Sequence, residues 1–362
     1  MNGQNKVTLT ADEAKRLAAA ALVANRTSPE IAASVADALV AAEIDGQAGH
    51  GLARVPSYAA QSRSGKVDGY ASPVFTRPAP AVIRVDAAHG FAYPAFDRLA
   101  AELPELARAN GIAIATVHRS HHFGQAGRHA ERLADRGLAA FAFTNSPGAI
   151  APWGGRRGLY GTNPIAFAAP RRNDPPLVID LALSIGARGK IMAAQRTGEP
   201  IPEGWALDTD GNPTTDPFAA LPGTMLPIGG AKGAALALMV EVLTAALAGA
   251  GHAHEQSSLF SGDGAPLTLG QTLIAIDVGP SSGGLFAARL ETLLGEIAAE
   301  PGARLPGTKR LENRARAARE GIAVAGDLYQ EITELAGLAE GRAHSGKVGT
   351  TFPPGMRDKT MR

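Results

Sequence analysis

A chain of 362 residues with 45% hydrophobic content is long enough for a large core and two closely packed domains. Its 35 basic and 34 acidic residues leave a net charge of +1, and it has no dense Lys/Arg runs interleaved with aromatics, which argues against a nucleic-acid face. Cysteine is absent, so thiol catalysis, disulfides and thiolate metal sites are excluded.

The amino terminus, MNGQNKVTLTADEAKR, lacks the apolar run of a secretory signal and leads into a helix start, so the cytoplasm is the expected location. Residues 10–45 read as helical. Thr10 and Glu13 have capping-box spacing, and Ser28-Pro29-Glu30 supplies an N-cap, a first-turn proline and an early acid. A helical domain over residues 1–70 is expected. Within it, DGQAGHGLARVPSY (45–58) sets His50 between two glycines, with Arg54 four residues on. If the segment turns helical after Gly51, the two side chains share a face. A general acid beside a fork-shaped carboxylate binder is what reduction of a 2-oxo acid requires. A surface loop with a solvated His and Arg fits the same spacing.

From about residue 72, apolar runs alternate with helical patterns, at 81–87, 111–117, 138–145, 164–170, 176–182 and 272–278. These predict an α/β (α+β) fold in which a mixed central sheet occupies a domain over 71–310. Helices are expected near 94–109 and 126–136, closed by Asn110-Gly111 and Gly137. Directly behind the strand GIAIATV comes RSHHFGQAG (119–127). Loops leaving the carboxyl ends of strands form ligand crevices, and a histidine there can trade protons near neutral pH. His118 and His122 have i, i+4 spacing, and with His129 they suggest a metal, but Gly124 and the preceding strand oppose the helix that spacing needs, and no HExxH accompanies it. Structural histidines and ligand-contacting ones both fit.

TNSPGAIAPWGG (144–155) and LYGTNPIAFAAP (159–170) place Asn145, Ser146, Thr162 and Asn163 at strand ends, suited to ligand contacts or to ordinary turns. In LPIGGAKGAALALMVEVL (226–243), Gly229, Gly230 and Gly233 bracket Lys232 at the start of a long apolar helix, a place that favours a phosphate. A glycine turn with a solvated lysine is the alternative. The apolar stretch 233–251 approaches membrane-spanning length, but Glu241 near its middle and Lys232 before it make it a buried helix. Residues 285–300 read as a helix, 311–341 as charged helical material joining the amino-terminal domain, and 342–362 as a loose tail. There is no G-x-G-x-x-G after a strand and no G-x-x-x-x-G-K-[ST], so a nucleotide would have to bind another way.

Together the ordered motifs DG...GHG..R...Y, S-x-HFG, TNS, GTNP, D-x-A-x-S (180–184), IPEGWALD..G.PTTDP (201–217), GG.KG and PG..R (306–310) resemble the malate/L-lactate dehydrogenase family. That group also holds ureidoglycolate, sulfolactate and diketogulonate oxidoreductases and piperideine- and pyrroline-2-carboxylate reductases. The resemblance runs from about residue 8 to about 335. It implies a non-Rossmann NAD(P)-binding fold, a mixed-sheet domain packed against a helical domain built from both termini, and a homodimer with its active site near the domain junction.

Carried onto this chain, the resemblance matches His50 to the proposed proton donor and His122, but not His121, to the second active-site histidine, so that His50 or His122 handles the proton. Arg54, Tyr58, Thr162 and Asn163 become substrate contacts. Ser120, His122, Ser146, Asp180, Leu181, Ala182, Ser184, Lys232, Gly233, Pro306, Gly307 and Thr308 match cofactor positions, and Asp180 either contacts the cofactor or orients a histidine. Two departures stand out: Ala48-Gly49 precede His50 where the family often has serine, and Leu183 stands where many members have threonine.

The expected reaction is hydride transfer between NAD or NADP and C2 of a small 2-oxo or 2-hydroxy carboxylate, or alternatively NADPH-dependent reduction of a cyclic imine carboxylate. Arg156, Arg157, Arg188 and Lys232 are candidates for a 2'-phosphate. Outside this class stand a metal-dependent hydrolase using His118, His122 and His129, and a binding protein without turnover.

Overall fold

A computed structural model describes residues 6–338; the tail expected over 342–362 lies outside the described residues. A short strand, β1 (Lys6–Leu9), leads into α1 (Ala11–Ala24). The Glu13 amide donates to the Thr10 hydroxyl at 3.2 Å, and the Thr10 amide donates back to the Glu13 carboxylate at 2.8 Å, which is the capping box its spacing predicts. Ser28 caps α2 (Pro29–Ile44) by accepting from the Ile31 amide. After the loop that carries His50 comes α3 (Val55–Ser64), which ends on Gly65 at φ +81°, a left-handed conformation that favours glycine.

The main sheet uses β2 (Val74–Ala79), β3 (Val82–Asp86), β4 (Ile112–Ser120), β5 (Leu138–Thr144), β6 (Ile165–Ala169) and β7 (Leu177–Leu181). Three two-residue strands, β8 (Ala206–Leu207), β9 (Pro213–Thr214) and β10 (Thr224–Met225), form a separate small sheet before β11 (Leu269–Asp277) completes the large one. Its order is β2-β3-β4-β11-β5-β6-β7. Only β3 and β4 run parallel, joined by the crossover helix α4 (Tyr93–Asn110), so the sheet is mixed as the sequence predicts. The edge strand β2 carries Pro78 and is largely exposed, which is why it gives no apolar signal.

One face of the sheet is covered by α4 and α5 (Ala126–Ala134), with Phe96, Leu99, Leu103, Phe123 and Leu133 packing on Ile83, Val85 and Val117. The other face is covered by α6 (Arg188–Thr197), α7 (Pro217–Ala220), the small sheet and α8 (Ala231–Glu241), around Ile150, Leu183, Ile191, Met225 and Val240. After α9 (Val278–Ser282), α10 (Phe286–Ala299) matches the helix expected over 285–300.

Two expectations need correction. The stretch expected to be helical over 311–341 divides into α11 (Thr308–Glu320), β12 (Ile322–Ala325) and α12 (Gly326–Leu335). Gly321 at φ +77° breaks the helix, and β12 pairs antiparallel with β1, burying Ile322 and Val324. The ends of the chain thereby share one apolar cluster, in which Ile322, Val324 and Ile332 meet Leu22, Leu39, Leu52 and Tyr58. The apolar helix over 233–251 is buried on one face only. α8 passes at Val242 into a single π-helical turn, and Leu236, Leu238, Met239, Val242 and Leu247 are exposed along it. Hydrophobicity all round a helix normally means burial, and among the described residues this face has no partner. Among the described residues no helix is long and apolar enough to cross a membrane.

Candidate active site

The carboxyl end of β4 is irregular: Arg119 takes φ +47°, and the register against β11 shifts between Leu269 and Gln271. Such a bulge re-aims the residues that follow it. Here it delivers His122 into a cavity of ≈430 Å³, where His50, Arg54, Ser146, Thr162, Ala182, Ser184, Arg188, His254 and Phe260 also line the wall. His50 and Arg54 arrive on two consecutive 3-10 turns after α2 (Ala48–His50 and Leu52–Arg54), rather than on one helical face. The remaining residues come from the ends of β5 and β7, from the start of α6 and from loops outside the sheet.

The two histidine rings stack, with centroids 5.2 Å apart and planes 20° from parallel. His122 Nδ1 lies 2.6 Å from the Tyr58 hydroxyl, which lies 3.1 Å from the Tyr93 hydroxyl. When Tyr93 donates to Tyr58 and Tyr58 to Nδ1, the imidazole proton sits on Nε2; the reverse orientation places it on Nδ1. Burial, reinforced by the Arg54 charge, lowers His50 to about 4 and takes His122 well below the usual histidine range. Both rings are therefore neutral near pH 7. Burial pushes the Tyr58 hydroxyl up to about 12, so it stays protonated.

Arg54 Nε donates to the Gly49 carbonyl at 2.7 Å, and its guanidinium lies 4.5 Å from the centre of the Phe260 ring. Among the described residues its Nη1 is buried without a hydrogen-bond partner and no carboxylate pairs with it. Arg188, at the start of α6, gives Nη2 to the Leu221 carbonyl at 3.0 Å, and its own burial lowers its pKa. The lining of this cavity contains two guanidinium groups and three histidines and no aspartate or glutamate.

A second cavity, of ≈450 Å³, is lined in part by the end of β7 and the loop before His50, by residues next or near in sequence to the Ala182 and His50 that line the first. Gln47, Gln125, Asp180, Leu181, Pro306, Gly307 and Arg310 line it. Gln125 Oε1 and Arg310 Nε are buried there without protein partners, one an acceptor and one a donor. These orphaned groups fit a ligand with both amide and phosphate functions, as a nicotinamide dinucleotide has. Asp180 accepts from the Gly127 amide at 2.8 Å, and its burial raises its pKa. Among the described residues it makes no hydrogen bond or ion pair with a histidine, and it lines the second cavity.

The other candidates separate by position. Tyr58 is fully buried behind His122 and does not line the cavity. Asn163 is fully buried too, with Nδ2 donating to the Ala237 carbonyl at 2.8 Å and to Glu241 at 3.0 Å. Ser120 gives its hydroxyl to the His121 carbonyl at 3.2 Å, and Thr308 gives its own to the Leu305 carbonyl at 2.8 Å. Lys232 is exposed in the first turn of α8, and a Cβ on Gly233 would collide with the Ile228 carbonyl. Neither of these two residues lines either cavity.

Leu183 is buried under the sheet, so its replacement of threonine leaves both cavity walls unchanged, whereas a Cβ on Gly49 would point into open space. His121 Nε2 pairs with Gln61 Oε1 at 2.6 Å, His129 Nε2 with the Phe123 carbonyl at 2.8 Å, and His118 lies beside Asp86. His118, His122 and His129 thus do not converge, and among the described residues no metal-binding group of three such side chains gathers. Sequence reasoning missed Gln47, Gln125, His254, Phe260 and Arg310, and gave Arg188 only a cofactor role. Gln47, Gln125 and Arg310 each lie inside a motif the sequence offered, DGQAGHGLARVPSY, RSHHFGQAG and PG..R, whereas His254 and Phe260 carried no signal.

A family model described as malate/L-lactate dehydrogenase matches residues 9–333. The chain is 52% identical over 298 residues to the (2R)-3-sulfolactate dehydrogenase (NADP(+)) of Chromohalobacter salexigens, covering 82% of this chain and 89% of that one. It is 42% identical over 332 residues to a Delta(1)-pyrroline-2-carboxylate/Delta(1)-piperideine-2-carboxylate reductase of Pseudomonas aeruginosa, covering 91% and 99%. Among solved structures, the delta1-piperideine-2-carboxylate reductase of Pseudomonas syringae superposes with a TM-score of 0.86 at 40% identity, covering 91% of this chain and 99% of that one. The sulfolactate dehydrogenase of Methanocaldococcus jannaschii gives 0.83 at 31% identity, covering 92% and 98%.

Proposed function

The chain belongs to the malate/L-lactate dehydrogenase family, and from that premise we propose that it moves hydride between NADP and C2 of a small 2-oxo or 2-hydroxy carboxylate. The observation that carries this reading is the placement of His50, His122 and Arg54 in one cavity without an acid in its lining.

The nicotinamide, when bound, supplies or accepts the hydride. Gln47, Gln125, Asp180, Pro306, Gly307 and Arg310 would hold the cofactor in the second cavity. Arg54 grips the substrate carboxylate with its fork of donors, in an orientation that Phe260 and the Gly49 carbonyl restrict. In oxidation, neutral His122 takes the C2 hydroxyl proton as hydride leaves that carbon. In reduction the flow reverses: the ring, having taken up a proton from solvent, gives it to the forming alkoxide as hydride reaches C2 and ends neutral. Tyr58 and Tyr93 keep the ring in register behind the cavity, and His50 stacks against it.

The alternative substrate, a cyclic imine carboxylate, is supported by the similarity to the pyrroline- and piperideine-2-carboxylate reductases. An iminium is a cation, however, and the cavity offers it no carboxylate partner while presenting two guanidinium groups, which favours the oxo acid. A homodimer and a cytoplasmic location complete the proposal; the exposed apolar residues of α8 support the first. The test is a panel of pyruvate, oxaloacetate, sulfopyruvate and a cyclic imine carboxylate, each followed by NADPH absorbance.

A further inference from the structure

Lys66, the residue after the Gly65 cap of α3, is 3% exposed. A lysine this deeply buried is ordinarily paired with a carboxylate. Its ammonium instead donates to three backbone carbonyls of one loop: Ser258 at 2.6 Å, Ser261 at 3.0 Å and Asp263 at 2.7 Å. Two residues of α3 hold the same loop, Gln61 through the Leu259 carbonyl at 2.9 Å and Ser64 through the Gly262 carbonyl at 2.8 Å. A Cβ on Gly262 would come within 3.0 Å of the Ala60 carbonyl oxygen, so the loop lies flush against the helix.

The opposite side of the loop is a wall of the active cavity. Ser258, Leu259 and Phe260 line it, and the Phe260 ring sits against the Arg54 guanidinium. We propose that Lys66 is a positioning residue that pins the 258–263 loop so that Phe260 holds Arg54 ready for the substrate carboxylate. A guanidinium is attracted to an aromatic face, and a long side chain already confined there loses less rotational freedom when its ligand arrives. The anchor therefore acts on substrate affinity, not on the proton or hydride transfer. The inference rests on the reading of Arg54 as the carboxylate clamp.

The test compares Lys66→Met with wild type in the full chain, since methionine keeps an unbranched apolar stem and removes all three donors. Amide exchange at Phe260 and Asp263, whose N–H groups are held only by serine hydroxyls of the loop, should quicken. The KM for the oxo acid should rise about tenfold while kcat and the KM for NADPH stay within about twofold, the pattern of lost ground-state and transition-state binding alike. Phe260→Leu should give the same kinetic pattern, and the double variant should be no worse than the more impaired single one.

An unchanged oxo-acid KM in Lys66→Met, a parallel loss in both KM values and kcat, or additive effects in the double variant would each overturn the proposal. If Lys66→Met does not fold, an unchanged oxo-acid KM in Phe260→Leu has the same force. Wild-type protein that turns over none of the panel would defeat the functional reading first. In that case, loop exchange and calorimetric binding of oxalate, compared between wild type and Lys66→Met, still decide the role of Lys66: unchanged values overturn it.

Discussion

Without the Tyr58 hydroxyl, His122 Nδ1 would lose its partner at 2.6 Å and the ring would be free to turn. Tyr58→Phe should therefore lower kcat about tenfold with little change in the oxo-acid KM, on the scale of other lost orienting contacts, as steady-state kinetics would report. His122→Ala removes the proton carrier itself and should cost about 10²–10⁴ in kcat while NADPH binding persists. Arg54→Lys keeps the charge but loses the bidentate fork, and should raise the oxo-acid KM by roughly tenfold to a hundredfold. The pairing of His50 with Arg54 was legible because both belong to one short segment. Tyr58 and His122 are 64 positions apart, and nothing in their local sequence announces that they touch. Asn163 misleads in the opposite way: it has the composition of a ligand contact, but it is fully buried and its Nδ2 is spent on the Ala237 carbonyl and on Glu241, 78 positions away.

Around the site, the end of α2, α5 and α11 are tied together by a buried ion cluster. Arg314 Nε meets Asp45 at 2.6 Å, its Nη2 meets Glu131 at 2.7 Å, and Arg310 Nη1 meets Glu131 at 3.0 Å. Removing Glu131 leaves the buried Arg310 charged without its carboxylate, while Arg314 keeps Asp45. Glu131→Ala should thus cost about 3–5 kcal/mol in urea denaturation, far more than a surface pair would. Because Arg310 also lines the second cavity, the same variant should weaken NADPH binding. Long elements with caps, such as α1, α2 and α4, were readable from spacing and end residues alone. The short strand β12 was not, because its four residues gain their partners from β1 at the other end of the chain. The edge strand β2 escaped for lack of an apolar face.

Across the whole molecule, burial holds His50 at about 4 and both His121 and His129 at about 3, against an ordinary value of 6.5. Below pH 6.5 the unfolded chain takes up protons that the native chain refuses, so stability is fully present above 6.5 and is lost as pH falls toward 4 and below. The melting temperature should accordingly drop steadily from pH 7 to pH 4.5, and a flat profile would contradict the buried, neutral histidines. The apolar face of α8 belongs to the same scale. Met239→Glu should convert a dimer into a monomer by light scattering if that face is the interface. The most direct test of the central claim is NADPH consumption over the substrate panel by wild type and His122→Ala. The account predicts rapid oxidation of NADPH by wild type with a 2-oxo acid, most strongly one bearing a second anionic group, and near-complete loss in the variant. Turnover of the cyclic imine alone, or equal rates in both proteins, would contradict it.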